Sequence, residues 1–477
     1  MENRLENNEE PIQFWTNEGK IKIKNVLFIN FLQSLGYRKL RNKNEYELVR
    51  IISGSIVQSI PIDKVREEVK DHLLSLDRQE VLEVFLNKDH LSKTTIESLE
   101  GISIDFIYGD KNTAILFYKN GVLKINANEL TLISYMEYKG YVWEDQIIPR
   151  DFILPETKDI DKDCEFGKFC KNISGNKQER LFSLKTILGY LLHSYKDPSF
   201  TKAIILIDEI IDLESNASEG GTGKSLLAKS INQLIPVLEK NGKLLKSNDK
   251  FFFADVEPHH KVIVFDDVKQ DFSFESLYSM ITGDMPIEKK YKNPVVMNFK
   301  EVPKVLITSN YLVRGTGGNS EARRKIVFEV NSHYRENPNI REESGHRFFD
   351  DWNEEQWMKF DYFMIDCVQL FLNNGIIEPE SINEITNRLI LETSKEFVCF
   401  IGKVLVNPSN YEAEIKEKSI RFNKAVLMEK FLQEFPEQRS KISPHLFTKW
   451  LEHYSKVSKI NFKNQKSNGQ NFIIFMI

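Results

Sequence analysis

The residues best suited to chemistry gather at Ser218-Glu219-Gly220-Gly221-Thr222-Gly223-Lys224-Ser225, which runs straight into the helix-forming Leu226-Leu227-Ala228-Lys229. Gly220, Gly221 and Gly223 let the backbone curl until successive N–H groups face one point, and a helix starting there adds its positive end. Such a loop cradles phosphates. Lys224 reaches the β- and γ-phosphates, the Ser225 hydroxyl sits on Mg²⁺, and the backbone from Gly220 through Thr222 to Leu226 supplies further donors. The full pattern has a glycine six positions before the lysine, where this chain has Ser218.

Three apolar runs follow the loop, each bordered by residues that suit a phosphate site. Lys261-Val262-Ile263-Val264-Phe265 closes on Asp266-Asp267, with Asp266 42 residues after Lys224. An aspartate at the end of a strand beside the loop holds Mg²⁺ through water, and its neighbour activates the attacking water. Val302-Pro303-Lys304-Val305-Leu306-Ile307-Thr308-Ser309 ends at Asn310, placed to sense a γ-phosphate or orient water. Lys325 to Val330 follows Arg323-Arg324, a pair that in a ring ATPase faces the neighbour's γ-phosphate as an arginine finger. Neither the two aspartates nor the two arginines can be ranked from the sequence. An earlier run, Ala203-Ile204-Ile205-Leu206-Ile207, ends in Asp208-Glu209 and imitates a Mg²⁺-coordinating strand. Because it precedes the loop, it is read as the first strand, with its acidic end opening a loop.

Together the stations Gly220-Gly221-Thr222-Gly223-Lys224-Ser225, Phe265-Asp266-Asp267 and Thr308-Ser309-Asn310 resemble the superfamily 3 helicases of viruses, phages and mobile elements, a branch of the AAA+ ATPases. In that family a β-hairpin between the acidic strand and the Asn strand carries a basic, aromatic tip into the ring channel. Gly283 to Pro294 stands in that place, and Lys289, Lys290, Tyr291 and Lys292 would hold the phosphates of a single strand and stack on its bases. More loosely, Tyr141 to Phe152 and Phe349 to Trp357 resemble phage and bacterial primase-helicases of the poxvirus-type group. The primase domain often joined to such helicases is not recognisable. Its metal site needs an Asp-x-Asp on a strand, whereas Asp105 stands alone and Asp151, Asp159, Asp161 and Asp163 fall in a polar loop.

The resemblance implies an ATP-dependent, Mg²⁺-requiring DNA helicase or translocase, acting as a hexameric ring in the replication of a phage or mobile element inside a bacterial cytoplasm. Its partner would be single-stranded DNA, with duplex DNA and a separate primase as further candidates. Two other classes stay open: an ATP-switched origin-binding or loader ring that does not unwind, and an AAA+ remodeller of proteins.

The elements that must position these residues follow from length and pattern. At 477 residues the chain needs more than one core. Hydrophobic content of 41% with 28% charged residues describes a globular protein, and no apolar run reaches the length of a membrane span. A net charge of −5 confines nucleic-acid contact to local patches. Cys164, Cys170, Cys367 and Cys399 lack metal-ligand spacing and read as free thiols. The expected architecture is α/β. An N-terminal α+β domain (1–152) includes a hairpin at 114–125 with an Asn120-Gly121 turn, and a helical collar (153–200) follows. Next come an AAA+-type P-loop core (201–345), a helical region (346–435) and a winged-helix-like module (436–477). From Arg439 onward seven Lys or Arg face one acid, Glu452. That basic excess suits a duplex backbone or a solvated tail.

Overall fold

The computed structural model describes residues 12–42, 45–103, 109–154, 164–211, 221–245, 251–288, 290, 294–313, 319–337, 345–467 and 469–476. The protein is mixed α/β. Near the N-terminus, strands at 37–42, 45–52 and 56–59 pair antiparallel, and short parallel edges at 101–102 and 142–143 complete a five-stranded sheet. Helices Asn25–Ser34 and Ile62–Ser75 pack over it through Phe28, Phe31, Leu32, Val65, Val69 and Leu73, which recur at helical spacing.

A three-stranded antiparallel sheet (113–118, 121–126, 130–133) comes next. Its hairpin turns at Lys119-Asn120, one residue earlier than expected, because Tyr118 pairs with Gly121. Gly121 serves close approach instead: a Cβ there would lie 2.5 Å from the Ile133 carbonyl oxygen. Asn120 clasps Phe152, accepting from its N–H (2.9 Å) and donating to its carbonyl (3.0 Å). Ala114, Leu116, Tyr118, Leu123 and Ile125 of this sheet join the main core, so residues 1–152 do not form a single separate core.

The centre is a five-stranded parallel sheet. Its strands are β1 (Ala203–Asp208), β2 (Val237–Asn241), β3 (Val262–Asp266), β4 (Lys304–Ser309) and β5 (Lys325–Val330), in the spatial order β2-β3-β4-β1-β5. Every residue of β1 and β4 is buried, which explains why both read as continuous apolar runs rather than alternating ones. Parallel pairing brings all the C-terminal strand ends to one edge.

Three helices matter for that edge: α1 (Gln178–Leu192), α2 (Lys224–Asn232) and α3 (Glu354–Asn374). Asn353 and Gln356 form a capping box that starts α3. The α1 end is capped from the sheet: the buried Lys304 ammonium donates to the carbonyls of Tyr190 (2.6 Å) and His193. Arg150 anchors the N-terminal part to α3 through a buried ion pair with Asp361, while its guanidinium lies 4.2 Å from the Trp357 ring. The segments Tyr141 to Phe152 and Phe349 to Trp357 thus meet in space.

At the C-terminal end the region expected to be helical, 346–435, also contributes two strands. Strands at 414–416 and 419–423 pair into one antiparallel sheet with 461–467 and 470–476. Phe397, Phe400, Phe431, Phe447 and Phe475 share one core beneath that sheet. A boundary at residue 436 would divide this unit, because strand 419–423 finds its partner some fifty residues later, a pairing that local periodicity does not reveal.

The buried α1 terminus makes stability depend on pH. Burial, reinforced by the Lys304 charge, pushes the His193 imidazole down to about 3. The unfolded chain takes up this proton near pH 6.5, so stability present above pH 6.5 is lost as pH falls through that window. Urea unfolding at pH 7 and pH 5 is expected to differ by about 2 kcal/mol from this group. His193→Asn should shrink the difference, and His260, pushed down to about 4 by burial and His259, supplies a further share.

Candidate nucleotide site

Gly221 and Gly223 both adopt left-handed backbone, with φ of 94° and 100°, and Gly223 caps the N-terminus of α2. A Cβ at Gly223 would also lie 2.8 Å from the Phe169 ring, so the loop rests against the α/β core. Lys224 and Ser225 occupy the first turn of α2 at the C-terminal edge of the sheet. This is where parallel α/β sheets bind ligands. Ser218, Glu219 and Gly220 lie outside the described residues. Leu226 packs its side chain against the main core, leaving only its backbone for a ligand.

The strand ends bring the expected partners together. The Ser225 hydroxyl lies 3.3 Å from Asp266 Oδ1 at the end of β3. Thr308 of β4 donates to the same oxygen (2.7 Å) and accepts from the Asp267 N–H (2.8 Å). This clasp holds Asp267 in left-handed backbone, φ 54°, a conformation Asp tolerates better than most residues. Asn310 donates from Nδ2 to Asp267 Oδ1 (3.0 Å) and accepts at Oδ1 from the Lys224 ammonium (2.9 Å). Lys243, just beyond β2, pairs with the other oxygen of Asp267, which raises the lysine's pKa. Lys224, Ser225, Asp266, Asp267 and Asn310 therefore form one polar network.

Two members of this network carried no role in the sequence reading. Thr308 was part of the Thr308-Ser309-Asn310 station but was given no contact of its own. Asp208, read as the start of a loop, is the buried last residue of β1, and its carboxylate accepts from the Thr222 hydroxyl (2.6 Å) and pairs with Lys224. The usable signal was an acidic pair, Asp208-Glu209, ending a wholly apolar run just before the loop. Burial lowers the Lys224 pKa, and Asp208 is the largest charge opposing that shift.

Ser225 and Asp266 fit a Mg²⁺ site. Two oxygens 3.3 Å apart suit an ion that takes one or two protein ligands and completes its shell with phosphates and water. Among the described residues no group of three or more His, Cys, Asp or Glu could hold a metal by itself.

Arg323 and Arg324 stand elsewhere. They precede β5 at the opposite end of the strands, about 20 Å from the C-terminal edge for a six-residue strand. They do not reach this chain's own site. Arg324 donates to the Ser320 carbonyl (2.7 Å) and lies over the Tyr278 ring, 4.7 Å away, whereas Arg323 is exposed. The hairpin between β3 and β4 is formed by Met285–Ile287 and Val295–Met297, antiparallel. At its tip Lys290 is exposed, 5.9 Å from the Phe251 ring; Lys289, Tyr291 and Lys292 lie outside the described residues.

A family of unknown function, DUF5906, matches residues 216–324, the span from the glycine-rich loop to the arginine pair. No curated protein matches the chain. Among solved structures, the chain is similar to the apo C-terminal region of NrS-1 at 12% identity and a TM-score of 0.40, covering 96% of this chain and 100% of that one. A second apo structure of that region gives 12% identity and a TM-score of 0.43, covering 95% of this chain and 100% of that one. Similarity at this level leaves the architecture to be read from the present chain. Cys164, Cys170 and Cys367 are buried and Cys399 is exposed, and no helix among the described residues is long and apolar enough to cross a membrane.

Proposed function

We propose that this protein is an ATP-driven translocase and helicase of superfamily 3 type, built on an AAA+-like core and acting on single-stranded DNA in the replication of a phage or mobile element. One observation carries the reading: Lys224, Ser225, Asp266, Asp267 and Asn310 meet at one edge of a parallel sheet through direct hydrogen bonds. The strand order supports an AAA+-type core. β1 lies beside β4, so the phosphate loop faces Asn310, and Asp266 comes from the next strand over.

In this reading the loop backbone and Lys224 bind the triphosphate. Mg²⁺, held by Ser225 and Asp266, would neutralise charge on the phosphate oxygens. Asp267, fixed by Thr308 and Asn310, orients and accepts a proton from the attacking water. Arg323 is the better candidate for a finger, since Arg324 is engaged within its own chain. Its distance from the local site favours a ring, proposed as a hexamer, in which it serves the neighbouring subunit. The hairpin carrying Lys290 would grip one strand of DNA.

Steady-state ATP hydrolysis with and without single-stranded DNA tests this. Stimulation of about tenfold or more is expected, falling away in Lys290→Ala/Lys292→Ala together with strand separation. Hydrolysis indifferent to DNA would instead favour a protein remodeller. An ATP-switched origin-binding or loader role has its own support in the C-terminal module. Its helices Lys395–Val406, Lys424–Glu434 and Pro444–Val457 with the antiparallel sheet suit a winged-helix-like unit, and Lys449, Lys456, Lys463 and Lys466 are exposed on it. Duplex binding without unwinding would favour that role.

A further inference from the structure

We propose that Asp208 is a latch for the phosphate-loop lysine: its carboxylate holds Lys224 until a nucleotide arrives, and binding hands the ammonium from Asp208 to the β- and γ-phosphates. The proposal rests on the nucleotide-binding reading of this site and adds a residue that sets its affinity.

An ammonium has three N–H donors. Those of Lys224 have three protein acceptors: Asp208 Oδ1, Asn310 Oδ1 at 2.9 Å and Thr222 Oγ1 at 3.2 Å. To reach a phosphate, Lys224 must release one of them. Asn310 and Thr222 are neutral, and each is tied elsewhere, Asn310 to Asp267 and Thr222 to Asp208. Asp208 is the anion among the three. Phosphate and carboxylate compete for the same charge, so exchange between them keeps the buried ammonium paired. After release Asp208 still accepts from the Thr222 hydroxyl and is not left without a partner.

The carboxylate cannot follow the lysine. Asp208 sits in register with Val330 of β5, and the next residue, Glu209, is tied at every polar group. Its N–H donates to Val330 O (2.9 Å), its carbonyl accepts from Asn383 (3.0 Å) and its carboxylate accepts from Asn331 (2.5 Å). Lys224, on a four-carbon stem at the first turn of α2, is the part that moves. A competent state in which the lysine has left Asp208 is populated only fractionally without nucleotide, and apparent affinity falls by that fraction.

The test is equilibrium binding of fluorescent ADP and ATP analogues with Mg²⁺ to the full chain, comparing wild type with Asp208→Asn. The pair is repeated in a Lys224→Ala background. Asp208→Asn is expected to bind about tenfold tighter, and the gain should largely vanish when Lys224 is absent. Simple repulsion between Asp208 and phosphate would give the same gain in both backgrounds and would overturn the latch. Unchanged or weaker binding by folded Asp208→Asn would overturn it too. Asp208→Ser, which keeps an acceptor for Thr222, is read by the same criteria if the Asn variant folds poorly. A larger nucleotide-induced rise in Tm for the variant than for wild type is a second expected sign. If wild type fails to bind and Asp208→Asn binds, the latch is supported in its strongest form. If neither wild type nor any folded Asp208 variant binds nucleotide, the nucleotide reading of the loop falls, and the latch with it.

Discussion

Lys224→Ala is expected to lower ATP hydrolysis by about 100- to 1000-fold, the usual consequence of removing a preorganised donor from developing charge on phosphate. The structure adds a second consequence. Lys224 and Asp208 are both buried, so the substitution leaves a carboxylate without its cation inside the protein. Breaking such a pair costs about 3 kcal/mol or more. Hydrolysis assays and urea unfolding read the two effects separately. Asp208→Asn added to Lys224→Ala should recover much of the stability and none of the hydrolysis, because the stray charge is gone while the Lys224 ammonium is still missing. Wild-type turnover in Lys224→Ala would remove the loop from the chemistry altogether.

Gly189→Ala is expected to be the most damaging small substitution outside the site. Gly189 lies in α1 where it crosses α3, and a Cβ there would sit 2.0 Å from the Cys367 carbonyl oxygen and 2.7 Å from Phe371 Cβ. The first contact is with backbone, which cannot swing aside as a side chain does. The two helices must separate, and the core on both sides of them, including Leu188, Met364 and Val368, loses its packing. A cost of about 3 kcal/mol or more follows from forced overpacking. Gly402→Ala is the matched control: Gly402 also lies inside a helix, Lys395–Val406, but nothing stands within 4 Å of its Cβ position. There alanine should be neutral or gain up to about 1 kcal/mol through helix propensity. Calorimetry of the two variants distinguishes steric crowding from a general intolerance of glycine replacement in helices.

Both predictions depend on contacts between residues far apart in the chain, and this is where sequence reading ran out. Asp208 is the clearest case. Its type and its place after an apolar run were legible, but acids that end strands are common, and order along the chain argued for the strand at Asp266 instead. Only the parallel pairing of β1 with β4 and β5 places its carboxylate beneath the lysine. The role of Thr308 was hidden for a related reason. A threonine within a strand is ordinary until β4 lies against β3 and its hydroxyl meets both Asp266 and the Asp267 backbone. The C-terminal core shows the same limit, since strand 419–423 had no local sign of its partner at 472–476.

By itself the sequence determined the local parts. A glycine-rich turn opening a helix, apolar runs ending in polar residues, a basic tip between two strands and a lysine-rich C-terminal stretch all depend on neighbours within a few residues. Backbone freedom, burial and periodicity act at that range. The tertiary structure alone decided which strand ends meet. It set Asp208 against Lys224, placed Arg323 and Arg324 at the far end of the strands from Lys224, and joined Arg150 to Asp361 across 211 residues. Those partnerships follow from sheet order and helix crossing, in which packing of the whole chain selects among contacts that no short stretch can specify.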